Sequence, residues 1–266
     1  MNIIQINGTN LPDIFFQSVY KTIEVGRNFV IDRGSYEGQI RKEFDFVVLH
    51  AKCPHIGELI PKLNPALNLP DPVAEGYLDG YLPYLMTGEE KPGEAYTYGQ
   101  RICSANADII WRYTDFGLCL DELHELPENI QWCDEYGINR INQMELMIWT
   151  YKHKGYRNNQ MIMQVGQPSD MSLKDPPCLR HIDTRIQDGQ LHFFPYFRSW
   201  DLWGGLPANL AAIESMRQYC AKEIGLPIAG EIVATSKGLH LYDYVIPLAE
   251  AVRGKTSEEF RQEALI

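Results

Sequence analysis

The sequence predicts a mixed α/β (α+β) fold built as one domain. Stretches of helical period, such as Leu11 to Val25, alternate along the chain with β-branched and aromatic runs such as Phe44 to His50. Two alternating runs between Ile182 and Phe197 flank Asp188-Gly189, a pair that supplies the positive φ angles of a two-residue hairpin turn. With 266 residues and 45% hydrophobic content the chain can bury a substantial core, and its length favours one large domain over residues 1–266.

From the N-terminus, Leu11 to Val25 places Ile14, Phe15, Val19 and Ile23 on one helical face, with Asn10 as N-cap, Pro12 in the first turn and Gly26 as the stop. Phe44 to His50 reads as a largely buried strand. A Pro-rich connection runs from Pro54 to Pro72, and Val73 to Met86 has a near-helical pattern that ends at Gly88. The stretch from Ile102 to Gly137 is acidic, through Asp115, Asp121, Glu122, Glu125, Glu128, Asp134 and Glu135, and an insertion is expected around 103–137. Its carboxylates lack the ordered spacing of a calcium loop and read as a solvated face rather than as metal ligands. Helical spacing returns from Ile138 to Tyr151 and again from Asn209 to Ile224. Leu226 to Val245 reads as strand, and Ala251 to Ile266 as a terminal helix.

No run of eighteen apolar residues occurs, and Met1 to Gln5 lacks the basic and apolar segments of a signal peptide, so a soluble, cytoplasmic protein is expected. The six cysteines (Cys53, Cys103, Cys119, Cys133, Cys178, Cys220) show no metal-ligand spacing and read as free thiols, with no metal site. A formal charge of −11 argues against broad nucleic-acid binding but leaves room for a small anionic substrate held by a few arginines.

The candidate chemistry lies between Pro176 and Tyr244. Cys178 follows Pro176-Pro177, which restrict the backbone, and stands at the head of the hairpin. Folding back at Asp188-Gly189 brings Arg198 near it. A guanidinium beside a thiol favours the thiolate, so a depressed Cys178 pKa and a competent nucleophile are expected.

The string Pro-Cys, hairpin, Arg198-Ser199-Trp200-Asp201, Gly204-Gly205, Pro207-Ala208-Asn209 and His240-Leu241-Tyr242 resembles the thymidylate synthase family in order and spacing, most closely its short archaeal-type members. The resemblance implies stacked twisted sheets with surrounding helices. It implies Cys178 as nucleophile, and Arg198 and Ser199 as substrate-phosphate ligands, with Arg198 also activating the thiol. Asp201 and Gly205 would lie on the cofactor side, Asn209 would read the base, and His240 and Tyr242 would hold the sugar 3′-hydroxyl. Tyr98, in Tyr98-Gly99, falls on the tyrosine that helps remove the C5 proton. Arg33, in Asp32-Arg33-Gly34-Ser35, falls on the loop arginine that closes over the phosphate, with Arg41 as a rival.

Other positions depart from the family. Arg157-Asn158-Asn159 stands where adjacent arginines usually reach the partner subunit's phosphate, with the one basic residue a position early. The proton-relaying glutamate has no clear counterpart, and Glu75 and Asp79 both remain candidates. A tryptophan-containing segment of longer bacterial members is missing, which keeps a hydroxymethylase in view.

The implied activity is reductive methylation of dUMP to dTMP through a Cys178 adduct at C6. The carbon donor would be 5,10-methylenetetrahydrofolate or methylenetetrahydromethanopterin, and the protein a homodimer. The alternatives are a dUMP or dCMP hydroxymethylase, and a silent nucleotide- or RNA-binding relative. An asparagine at 209 suits uracil, since its amide both donates to O4 and accepts from N3–H.

Overall fold

The structure is a computed structural model that describes residues 1–32, 36–107, 126–157 and 159–263. Its fold is mixed α/β, as the alternating periodicities predict. The largest sheet has six strands in the order β1 (Ile3–Gly8), β4 (Phe46–Ala51), β12 (Ile232–Ser236), β10 (Gln190–Phe197), β9 (Leu179–Gln187) and β8 (Ile162–Gln164). A second sheet joins β11 (Trp200–Asp201), β13 (Leu239–Tyr242), β3 (Ile40–Glu43) and β2 (Arg27–Val30). A third, small sheet orders β5 (Ala105–Asn106), β7 (Asn139–Ile141) and β6 (Gln131–Cys133).

Helix α1 (Leu11–Val25) has the expected bounds: Asn10 accepts from the Asp13 N–H, and Gly26 closes the last turn onto the Thr22 carbonyl. Its apolar face, with Ile14, Phe15, Val19 and Ile23, packs into one cluster with Val47, Leu49, Phe193, Phe197 and Ile232. Helix α5 (Gly205–Ile224) supplies Leu206, Leu210, Ile213, Met216 and Cys220 to the same cluster. Each such side chain contributes about 1.5–3 kcal/mol of burial free energy, so α5 is anchored along its length. Arg217, fully buried, forms an ion pair with Glu214 and donates to the carbonyls of Leu191, Ile228 and Ala229, fastening α5 to the start of β10 and to the loop before β12.

The hairpin between β9 and β10 forms as predicted, with φ of 52° at Asp188 and 73° at Gly189. Pairing runs regularly from Gln187↔Gln190 to His181↔Tyr196 and then skips to Leu179↔Phe197, so Arg180 is the extra residue of a β-bulge.

Several expectations shift. The helix expected from Val73 begins at Tyr77 (α2, Tyr77–Met86), because Gly76 takes a left-handed φ of 75° that breaks the helical run before it. The helix expected from Ile138 begins at Gln143 (α4, Gln143–Lys154), since Asn139–Ile141 is drawn into pairing with β6 and Asn142 is the N-cap. Leu226 to Val245 is two strands, β12 and β13, separated by Gly238 at φ 90°, and ends in a 3-10 turn. The C-terminal helix is two short ones, α6 (Ile246–Arg253) and α7 (Ser257–Glu263), broken at Gly254. Asp115, Asp121, Glu122, Glu125 and Cys119 lie outside the described residues. Of the remaining acidic residues in that stretch, Asp134 accepts from the Tyr136 and Ile138 N–H groups and from Arg140, an ordinary turn anchor. No helix among the described residues is long and apolar enough to cross a membrane.

Candidate active site

Cys178 sits half-buried immediately before β9, and its carbonyl accepts the Arg198 N–H at 2.8 Å across the open end of the hairpin. The Arg198 guanidinium folds over the preceding backbone. Its Nε donates to the Pro177 carbonyl at 3.2 Å, and one terminal nitrogen donates to the Pro176 carbonyl at 2.5 Å and to Asp175 at 3.3 Å. The two prolines have no N–H to donate, and their carbonyls hold the guanidinium in place.

The expected depression of the thiol pKa is corrected. Burial, the larger effect, pushes the Cys178 thiol up; Arg198 pulls it down, as does Arg180 more weakly, while Asp175 and Asp201 push it up again. Arg180 carries no signal of its own in the sequence. The bulge turns it onto Gly166, and it pairs with the buried Asp170 at 3.1 Å; Arg101 holds that carboxylate's other oxygen at 3.0 Å.

Tyr98 opens helix α3 (Tyr98–Cys103) and its hydroxyl accepts the Leu179 N–H at 3.3 Å, one residue beyond the thiol. Burial, then the neighbouring Cys178, pushes the Tyr98 hydroxyl pKa well above its ordinary value, so it stays protonated at neutral pH. Gly99 explains the Tyr-Gly pairing: a Cβ there would lie 2.2 Å from the Tyr84 carbonyl oxygen, so only glycine lets α3 start against the end of α2.

Asp201 ends β11 and accepts three backbone N–H groups, from Trp203 at 3.1 Å, Gly204 at 3.1 Å and Gly205 at 2.9 Å, which fixes the entry to α5. A Cβ at Gly205 would stand 3.2 Å from Asp201 Cβ and 3.8 Å from Asn209 Oδ1, so the glycine leaves the space between those side chains open. Asn209, one turn along α5, accepts from Trp200 Nε1 at 2.9 Å and donates to the Tyr81 hydroxyl at 2.8 Å. Neither Trp200 nor Tyr81 carries a sequence signal.

His240, 2% exposed, lies on β13 beside β11. Its Nδ1 bonds the Gly238 carbonyl at 2.8 Å, and a carbonyl only accepts, so Nδ1 carries the proton. Nε2 is then a buried acceptor with no hydrogen-bond partner among the described residues. Burial holds the His240 pKa down at about 4, against the Gly238 hydrogen bond; Arg41 lowers it further and Asp201 opposes. The Tyr242 ring meets His240 edge-on at 4.6 Å and packs against Tyr36 and Tyr244.

Arg198 and Ser199 open onto a cavity of about 540 Å³, also lined by Arg27, Arg41, Glu43, Asp45 and Lys237. Arg41 Nε lies 2.5 Å from Glu43 Oε2 without hydrogen-bond alignment, and Arg27 pairs with Asp45 at 3.0 Å. Lys237 is exposed with no bonded partner among the described residues. Arg33 lies outside the described residues, whereas its rival Arg41 lies in this cavity. Arg157 stays apart: it is exposed and lines a separate pocket of about 370 Å³ with Tyr156, Asn159 and Arg185. Glu75 and Asp79 are both exposed near the start of α2, and the α2 residue that reaches Asn209 is Tyr81.

The thymidylate synthase family model matches residues 92–262. A Methanosarcina acetivorans protein, provisionally named a thymidylate synthase, is 25% identical over 247 residues, 93% of each chain. The thymidylate synthase of Staphylococcus haemolyticus is 31% identical over 127 residues, 47% of this chain and 38% of that one. Thermostable thymidylate synthase A from Bacillus subtilis superposes with a TM-score of 0.59 over 92% of this chain and 84% of that one, at 13% identity, a likeness of fold. The matched segment runs from ahead of Tyr98 to beyond Tyr242 and takes in more than half of the sequence: the chain belongs to the thymidylate synthase family.

Proposed function

We propose that this protein is a thymidylate synthase that methylates dUMP through a covalent adduct of Cys178 at pyrimidine C6. The observation that carries the reading is the neighbourhood of the thiol. Arg198 donates its N–H to the Cys178 carbonyl, Tyr98 accepts the N–H of the next residue, and Asp201 and Tyr242 lie within electrostatic reach of the thiol, so residues from three separate segments converge on it.

Uracil C5 is unreactive until a thiolate adds at C6, so the thiol must lose its proton as the nucleotide is engaged. Arg198 and Arg180 favour that loss. Arg198, Ser199, Arg41 and Lys237 would hold the 5′-phosphate, turning remote binding energy into orientation at C6. The free Nε2 of His240 would accept the proton of the sugar 3′-hydroxyl, with Tyr242 beside it, and Asn209 would meet the base edge. Tyr98, kept protonated, would orient the water network that takes up the C5 proton.

The one-carbon unit and, for a methyl product, the hydride would come from 5,10-methylenetetrahydrofolate or methylenetetrahydromethanopterin. The open space at Gly205, between Asp201 and Asn209, is compatible with a flat ring there, and Asp201 keeps lone pairs free to accept from ring N–H groups. A homodimer is part of the proposal. The face of the six-stranded sheet turned from the core carries the half-exposed Phe46, Val48, Phe194, Tyr196 and Val233, an apolar surface suited to the same face of a second copy. Arg157 would reach the partner's phosphate site from its own edge.

The test is mass analysis of the product from dUMP and methylenetetrahydrofolate, with dihydrofolate followed by absorbance. The expected result is dTMP with stoichiometric dihydrofolate, and loss of roughly 10⁴-fold or more of turnover in Cys178→Ala while dUMP still binds. A hydroxymethyl product without dihydrofolate would move the protein to the hydroxymethylases, and full activity in Cys178→Ala would remove the nucleophile assignment.

A further inference from the structure

An asparagine amide can face a pyrimidine in two ways. Uracil presents a donor at N3 and an acceptor at O4; cytosine presents an acceptor at N3 and a donor at its 4-amino group. One amide orientation suits the first edge and the flipped orientation suits the second, so Asn209 by its identity alone selects neither base. Selection needs something that forbids the flip.

The neighbours of the amide supply it. Asn209 Oδ1 accepts from Trp200 Nε1 at 2.9 Å, and Nδ2 donates to the Tyr81 hydroxyl at 2.8 Å. A tyrosine hydroxyl both donates and accepts, so Tyr81 tolerates either orientation. An indole N–H only donates. Flipping the amide would set its NH₂ against the indole N–H, leaving two donors facing each other in a part-buried site, which disfavours that state by about 10- to 100-fold.

The indole cannot turn away. Trp200 is 2% exposed, and its ring lies on Phe197 with centroids 3.8 Å apart and planes within 6°. Its backbone is pinned in β11, where the Trp200 N–H donates to the Gly238 carbonyl at 3.2 Å and the residue pairs with Leu239.

We propose that Trp200 is the positioning residue that sets the choice of pyrimidine. It locks Asn209 so that the site takes a base with N–H at position 3 and a carbonyl at position 4, and turns away the 4-amino counterpart. The inference rests on the proposed use of a pyrimidine nucleotide at this site.

Calorimetric titration of the full-length protein with dUMP and with dCMP tests it, for wild type, Trp200→Phe and Trp200→benzothienylalanine. The last keeps the two fused rings and replaces only the N–H. Wild type should prefer dUMP, and both variants should lose about tenfold or more of that preference, chiefly by gaining dCMP affinity. A packing role alone would weaken both nucleotides equally and leave the ratio unchanged, and that result in either folded variant overturns the proposal. Should Trp200→Phe fail to fold by thermal unfolding, the isosteric variant decides. Wild type that binds dUMP and dCMP equally also overturns it. Wild type that binds neither nucleotide removes the dUMP reading, and the inference with it, whereas retained selection in the variants removes the inference alone.

Discussion

The two ends of the site are built on opposite principles. Around Asn209 and Asp201 the polar atoms are already engaged by protein: the amide by Trp200 and Tyr81, the carboxylate by three backbone N–H groups. Around His240 and the cavity beside Arg198 several are not. Among the described residues His240 Nε2 and Ser236 Oγ are buried without partners, Arg41 Nε and Glu43 Oε2 meet without alignment, and Lys237 has no partner. Groups held by protein partners keep one orientation whether or not a ligand is present, which gives selectivity. Groups left unsatisfied gain most when a ligand arrives, which gives affinity, because a buried polar atom without a partner costs about 1–3 kcal/mol until one appears.

The largest expected effect falls at the engaged end. Asn209→Asp replaces the donor facing position 4 with an acceptor, which the 4-amino group of cytosine satisfies and O4 of uracil does not; with one proton shared between the carboxyl group and N3, cytosine is matched at both positions. Preference should move from dUMP towards dCMP by on the order of 100-fold in the ratio of dissociation constants, and an unchanged ratio would show that the base is read elsewhere.

A smaller effect belongs to the unsatisfied end. Arg41→Gln and Lys237→Gln should each weaken dUMP by about tenfold, about 1.4 kcal/mol, while leaving the weak binding of deoxyuridine, which has no phosphate, where it was. Equal losses for nucleotide and nucleoside would mean that the cavity serves the fold rather than the phosphate.

A third effect, on stability rather than on binding, is a matter of pH. His240 has its pKa lowered to about 4 in the folded protein, from an ordinary value near 6.5. Between those values the unfolded chain takes up a proton that the folded one refuses, so stability falls as pH drops from about 6.5 towards 4, by on the order of 3 kcal/mol. His240→Gln should flatten that slope in denaturant titrations at pH 7, 5.5 and 4.5. A dUMP-bound sample should show a steeper loss if Nε2 accepts a ligand proton, since protonation would then also break that bond.

What the sequence could reveal depended on the range of the forces involved. The hairpin at Asp188-Gly189 and the helix from Leu11 to Val25 were legible because turn chemistry and capping act over a few residues. The gathering of Cys178, Arg198, Asp201, Asn209 and His240 was legible through the family's motif order. Tyr81 was not: it meets Asn209 across 128 positions, and nothing local marks an α2 tyrosine as the partner of an α5 amide. Nor was the direction of the Cys178 shift, since the guanidinium can be guessed from neighbours in a hairpin while burial, the stronger effect, depends on everything packed around the thiol. The late start of the helix at Gln143 obeys the same rule, because the strand that displaces its first turn is paired with Gln131–Cys133.

The bulge at Arg180 makes the aim of the thiol a question of parity. Along a strand each residue faces opposite to its neighbour, so one supernumerary residue reverses the facing of everything before it unless a bulge takes it up. The bulge absorbs the odd count: Leu179 stands opposite Phe197 beside the His181↔Tyr196 pair, so deleting Arg180 would leave Leu179 in the core and Cys178 facing as it does, and would remove only the guanidinium held on Asp170. A single residue inserted elsewhere in β9, where no bulge takes it up, would instead reverse the facing of one side of the strand, a constraint on how this segment can drift in length that no single side chain reveals.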